Sequence, residues 1–144
     1  MKLDFGSGHR PRAGYLTCDC TGSPFLDYYF DPIDYRVLGC DDNTFDVIQV
    51  RNVIHHIKDL KKLFNELHRI LKIGGRLVII DSRPEAFAAT VFLDTLWYRA
   101  VIPRHEVWFS TEYRDYRKLL TEYQMPYNIW NKLDKEITIA KKYE

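Results

Sequence analysis

Between Phe45 and Asp81 the hydrophobic period changes twice, and that change limits the folds open to the chain more than any other feature. The run FDVIQV, Phe45–Val50, reads as a strand entered from the polar turn CDDN. From Asp59, an N-cap type, apolar residues recur at Leu60, Leu63, Phe64, Leu67, Ile70 and Leu71, one face of an amphipathic helix that Gly74-Gly75 should end. RLVIID, Arg76–Asp81, follows as a near-continuous apolar strand of the kind buried on both faces of a parallel sheet. Strand, helix and strand in this order make a βαβ unit. It places the ends of both strands at one edge of the sheet, where ligands bind in open α/β folds.

Around this unit, Lys2–Phe5, Tyr15–Asp19 and Asp27–Asp31 read as three further strands. An aromatic segment from Glu85 to about Val101 reads as helical, and a second helix starts at Ser110, where Ser-Thr-Glu-Tyr offers a cap and an early acid. The tail YNIWNKLDKEITIAKKY alternates around Asp134-Lys135 and reads as an antiparallel hairpin closing the sheet. The expected fold is a three-layer α/β domain with a mostly parallel sheet, helices on both faces and a C-terminal antiparallel hairpin. With 144 residues there is room for one such domain, residues 1–144, and none for a separate substrate domain.

A net charge of +1 supplies no field that would draw nucleic acid or an anionic membrane. The most apolar window, EAFAATVFLDTLWYRAVIP, is broken by Asp94 and Arg99, so no segment is expected to span a membrane. Cys18, Cys20 and Cys40 are an odd number without framework spacing, which points to a reduced, cytoplasmic protein. Cys18 and Cys20 flank Asp19 and read as small core residues; a CxC pair without further ligands gives no metal site.

LDFGSG, from Leu3 to Gly8, resembles the opening of a dinucleotide loop, but the pattern stops early. Gly6 and Gly8 are present, the third glycine position is Pro11, and only nine residues, Gly6 to Gly14, separate the two strands. At most one helical turn fits there. A pyrophosphate would lose the helix N-terminus that normally faces it. The loop therefore suits a cofactor with ribose and adenine but no phosphate. Asp19 ends the second strand, where its carboxylate can accept both hydroxyls of a ribose diol. Asp31 ends the third, within reach of an adenine amino group, or ends the strand and starts a turn with Pro32. Asp4 is a charge inside a strand just before the glycines, a place that calls for a brace or a cationic ligand.

These residues resemble the class I S-adenosylmethionine-dependent methyltransferases, which are Rossmann-like. LDFGSG is similar to the family's first motif, Asp19 to its ribose acid, and FDVIQVRNVIHHIKDLKKLFNELHRILKIGGRLVIID to its fourth strand, helix and fifth strand. The short GSGHRPRAGYLTCD connection resembles a subgroup in which the first helix is reduced to a loop. The resemblance implies S-adenosyl-L-methionine as cofactor, with Asp4, Gly6, Ser7 and Gly8 along its methionine part, Asp19 and the neighbouring Cys20 at the ribose, Asp31 near the adenine and Asn52 beside the sulfonium. It implies methyl transfer to a small molecule. His55 and His56 follow the fourth strand, where one could take a proton from the acceptor, the second of such a pair often being structural. Arg104, His105 and Trp108 are the substrate candidates. Family members usually carry a helical segment before the first strand. Here its covering role falls to residues 85–110 or to another subunit, and the exposed aromatic stretch 86–109 points to a homodimer. A basic stripe of Arg10, Arg12, Arg83 and Arg104 would instead favour a macromolecular substrate; cofactor binding without turnover is the other alternative.

Overall fold

Every strand marked by the alternation is present, with one more, in the computed structural model, which describes residues 1–7, 12–20, 24, 26–86, 92 and 114–143. In chain order they are β1 (Lys2–Phe5), β2 (Leu16–Asp19), β3 (Tyr28–Asp31), β4 (Arg36–Val37), β5 (Phe45–Arg51), β6 (Leu71–Ser82), β7 (Tyr127–Lys132) and β8 (Lys135–Lys141). The helices among the described residues are α1 (Leu60–Ile70) and α2 (Arg117–Glu122). They share the chain with one eight-stranded sheet in the order β4-β3-β2-β1-β5-β6-β8-β7. β1, β2, β3, β5 and β6 run parallel, so their carboxyl ends meet at one edge. β8 inserts antiparallel beside β6 and begins at that edge, Lys135 facing Ser82. No described helix is long and apolar enough to cross a membrane.

Strand alternation divides the sheet into two faces. On one, the register aligns Leu3, Ile48, Leu77 and Ala140 in one row and Cys18, Phe5, Val50, Ile79 and Thr138 in the next, all buried. Leu63, Phe64, Leu67 and Ile70 of α1 and Leu120 of α2 join this core. Tyr116, at the start of α2, is buried against Phe64, and its hydroxyl meets Glu136 Oε1 at 3.0 Å and Thr138 Oγ1 at 2.6 Å. The buried Lys142 ammonium donates to Asn43 Oδ1, His68 O and Leu71 O at 2.7 to 2.9 Å, closing the carbonyl end of α1 with a cation.

Four expectations are corrected. α1 stops at Ile70 rather than at Gly74-Gly75, because Leu71 turns to an extended backbone and pairs with Phe45, while Gly74 and Gly75 exchange hydrogen bonds with Lys142. Leu71 is buried either way, so its place in the helical period carried no information about the turn. α2 begins at Arg117, where Asp115 Oδ1 accepts the Arg117 N–H; Ser110–Tyr113 lie outside the described residues, as does most of the Glu85–Val101 segment, of which Pro84–Ala86 form a 3-10 turn. β4 is an antiparallel addition to the edge at β3, too short to leave a periodic signal. Cys18 is buried, but Cys20 is exposed beyond the end of β2.

Glu66 explains why β4 and α1 hold together. Its Oε2 accepts the Val37 N–H at 2.6 Å, and both its oxygens take the Arg69 guanidinium fork at 2.6 and 2.7 Å, with Arg36 at 3.6 Å. Burial alone would raise the Glu66 pKa, but Arg69, the Val37 amide and Arg36 together hold it below its ordinary 4.5. A carboxylate with a depressed folded pKa adds stability that is fully present above the unfolded value and is lost as pH falls through the folded one. Glu66→Gln should therefore cost about 1–3 kcal/mol in denaturant unfolding at neutral pH. The gap between parent and variant should narrow below pH 4.5; a gap independent of pH would contradict the ion-pair role.

Candidate active site

The carboxyl edge is built by the segments leaving β1, β2, β5 and β6. After β1 the chain folds over the end of β2: the N–H groups of Gly6 and Ser7 both donate to Cys18 O, at 2.8 and 3.2 Å. Gly6 has φ +81°, and a Cβ there would lie 2.1 Å from Val53 Cγ2. The glycine thus lets the turn after β1 pack directly on the turn after β5.

Asp4 lies on the face opposite the Leu3–Phe5 core, between Thr17 and Gln49 in the register. Only 2% of it is exposed, and its Oδ2 is buried with no hydrogen-bond partner. Burial pushes the Asp4 carboxyl pKa up; the Arg12 guanidinium opposes that rise and Asp19 adds to it. Arg12 Nε is likewise buried without a hydrogen-bond partner. Asp19, half-buried, accepts the Cys20 N–H at 2.7 Å through Oδ1. Asp31 Oδ1 accepts the N–H groups of Ile33 and Asp34 at 2.8 and 3.2 Å, so this oxygen holds the turn into β4.

Asn52 follows β5 in the left-handed region, φ +56°, with its N–H donating to Ile80 O at 2.8 Å. Its side-chain oxygen accepts from Lys135 Nζ at 2.8 Å, bringing the hairpin to the same edge. Asp81 Oδ2 accepts the Ile54 N–H at 3.0 Å, and Oδ1 accepts the Ser82 N–H at 2.8 Å and stands 3.2 Å from His55 Nδ1. His55 is 1% exposed, and the contact of its Nδ1 with Asp81 ties the end of β5 to the end of β6. His56 is half-buried, its ring 4.1 Å from that of His55.

Asp4, Gly6, Ser7, Asp19, Cys20, Asn52 and the histidine pair thus stand at or beside one edge. Gly8, Arg10, Arg104, His105 and Trp108 lie outside the described residues. Arg83 of the expected basic stripe donates to the hairpin turn at Leu133 and Asp134. Among the described residues no group of His, Cys, Asp and Glu is arranged to hold a metal. Asp81 and Lys135 were missed from sequence. An acid ending a wholly apolar strand was the available signal for Asp81; Lys135 gave none, because its contact depends on the antiparallel insertion of β8.

Solved structures, a methyltransferase among them, share this fold. A CurJ carbon methyltransferase aligns with a TM-score of 0.70 and 17% identity over 99% of this chain and 48% of its own. The PH0226 protein of Pyrococcus horikoshii aligns with a TM-score of 0.66 and 18% identity over 98% and 81%. The methyltransferase domain family model matches residues 3–79, and the chain belongs to that family. A demethylmenaquinone methyltransferase of Bacteroides fragilis is 38% identical over 71 residues, 49% of this chain and 29% of that protein. Its counterpart in Listeria welshimeri is 27% identical over 75 residues, 52% and 32%. The chain spans about three tenths of the length of these curated relatives.

S-adenosylmethionine, the cofactor of S-adenosylmethionine-dependent methyltransferases with this fold, fits the donor set. The orphaned Asp4 oxygen suits a cationic group, the turn at Gly6 has no side chain to obstruct it, and Asp19 supplies a carboxylate at the next strand end. Gly6→Ala should therefore cost about 2–4 kcal/mol in unfolding free energy, from backbone strain plus the clash with Val53. Gly14, with φ +83° but open space around its Cβ position, provides the control. Gly14→Ala should cost about 1 kcal/mol. Equal losses would show that the contact between the two turns is not what requires glycine.

Proposed function

We propose that the chain binds S-adenosylmethionine at this edge and transfers its methyl group to a small-molecule acceptor, acting as one domain over residues 1–144. The observation that carries the reading is the buried, unpartnered Asp4 carboxylate beside a connection between β1 and β2 too short for a phosphate-binding helix. Asp4, Gly6, Ser7 and Gly8 hold the methionyl end, Asp19 with Cys20 the ribose, and the Asp31 turn the adenine. Asn52 stands beside the sulfonium. The bound cofactor supplies an electrophilic methyl group. What the chain must do is align the acceptor and exclude water. In this reading His56 accepts a proton from the acceptor, which its being less buried than His55 supports. The relatives named for demethylmenaquinone support a small organic acceptor.

Calorimetric titration with S-adenosylmethionine and S-adenosylhomocysteine tests the reading. The parent should bind both, and Asp19→Ala should weaken each at least about tenfold through the lost charge-assisted hydrogen bonds. No heat with the parent would overturn the cofactor assignment; undiminished binding by Asp19→Ala would remove the ribose role.

A further inference from the structure

One margin of the sheet is left open among the described residues. β7 is the last strand and pairs only with β8, in an unbroken antiparallel register from Tyr127 opposite Ala140 to Lys132 opposite Lys135. In such a ladder alternate residues turn their N–H and C=O groups to the neighbouring strand, and the rest turn theirs outward. The Lys141 N–H donates to Pro126 O at 3.1 Å, which sets the parity: Asn128, Trp130 and Lys132 face β8, and Tyr127, Ile129 and Asn131 point their backbone groups away from it. Edge strands are ordinarily guarded by shortness, proline, charge or a bulge. The opposite edge is so guarded, since β4 is two residues long and Glu66 takes its Val37 N–H. From Tyr127 to Asn131, β7 has no proline, charge or bulge, and its Trp130 is 50% exposed.

We propose that β7 pairs with β7 of a second copy of the chain, antiparallel about a twofold axis at Ile129, so that one sheet continues through both copies. The strand is complementary to itself in this register. Ile129 meets Ile129 of the second copy and Tyr127 meets its Asn131, which uses every outward N–H and C=O of the three residues. Trp130 stands opposite Asn128, with the second Trp130 on the diagonal, within reach of an aromatic ring. Lys132, the one charge on the strand, falls opposite Pro126 and not opposite another cation. That fit of the strand to its own reverse assigns the edge to a second copy and not to an unrelated chain. A contact of one short strand is smaller than a standard interface, so the dimer is reversible. The axis turns the carboxyl edges of the two copies to opposite sides, and each stays open.

Sedimentation equilibrium of the parent, from about 1 to 500 μM, should show a passage from the mass of one chain to that of two. Ile129→Pro removes an outward N–H and no bond to β8, and should raise the dissociation constant at least about tenfold. Trp130→Lys should raise it about threefold to tenfold, by removing the aromatic contact and setting two cations on the diagonal. Residue-resolved amide exchange of the parent reads the contact without a substitution, and so decides the matter even if Ile129→Pro fails to fold. The amides of Tyr127, Ile129 and Asn131 should exchange about fivefold or more slowly at the concentrated end of the series than at the dilute end, with Asn128, Trp130 and Lys132 protected at both. A parent that stays monomeric throughout, a dimer indifferent to both substitutions, or exchange of the three amides independent of concentration would each overturn the pairing.

Discussion

The buried carboxylate of Asp81 fixes the edge on which the candidate site depends. It accepts the Ile54 N–H, the Ser82 N–H and a contact from His55, so one side chain fastens the exit from β5 to the end of β6. A carboxylate in such a place is costly unless its oxygens are hydrogen-bonded, and here both are. The consequence spreads along the edge. With Ile54 and His55 held, Val53 is fixed against Gly6, and the turn after β1 is seated on the turn after β5. That turn in turn takes Cys18 O, which joins the end of β2.

Alternation along the strands then gives the two faces different tasks. In β1, Leu3 and Phe5 enter the core shared with α1 and α2, and Asp4 points the other way. The same parity places Thr17, Gln49, Ser82 and Lys135 on the face of Asp4. One face is stabilised by apolar packing, with polar ties at its margins such as Tyr116 with Glu136 and Thr138. On the other, these polar side chains stand among the half-buried apolar residues Val78, Ile80, Ile137 and Ile139. Asp4 is the extreme case, its Oδ2 buried on this face without a hydrogen bond to offset its burial.

Much of this was legible in the sequence. Two-residue alternation marked β1, β2, β3 and β5, the shift to a helical period marked α1, and Asp59 caps it as expected, accepting the Lys62 N–H. Of the candidate cofactor residues, Asp4 was marked by being a charge in a strand, and Asp19 by its place at a strand end. What was not legible depends on tertiary partners. The helix end at Ile70 is set by the pairing of Leu71 with Phe45, and β4 exists because Glu66, on α1, takes the Val37 amide. Nothing in the sequence marks Lys135 or Lys142 for a role, yet one meets Asn52 and the other closes α1, because β8 threads between β6 and β7.

Hydrogen–deuterium exchange of the parent, with and without saturating S-adenosylhomocysteine, tests most directly whether the Asp81-braced edge is the ligand edge. Binding there slows exchange in the amides of Leu3–Ser7, Cys18–Cys20 and Arg51–His56 and leaves β7, the far outer strand, unchanged. Slowing confined to β7 and β8, or none in Leu3–Ser7, would contradict it.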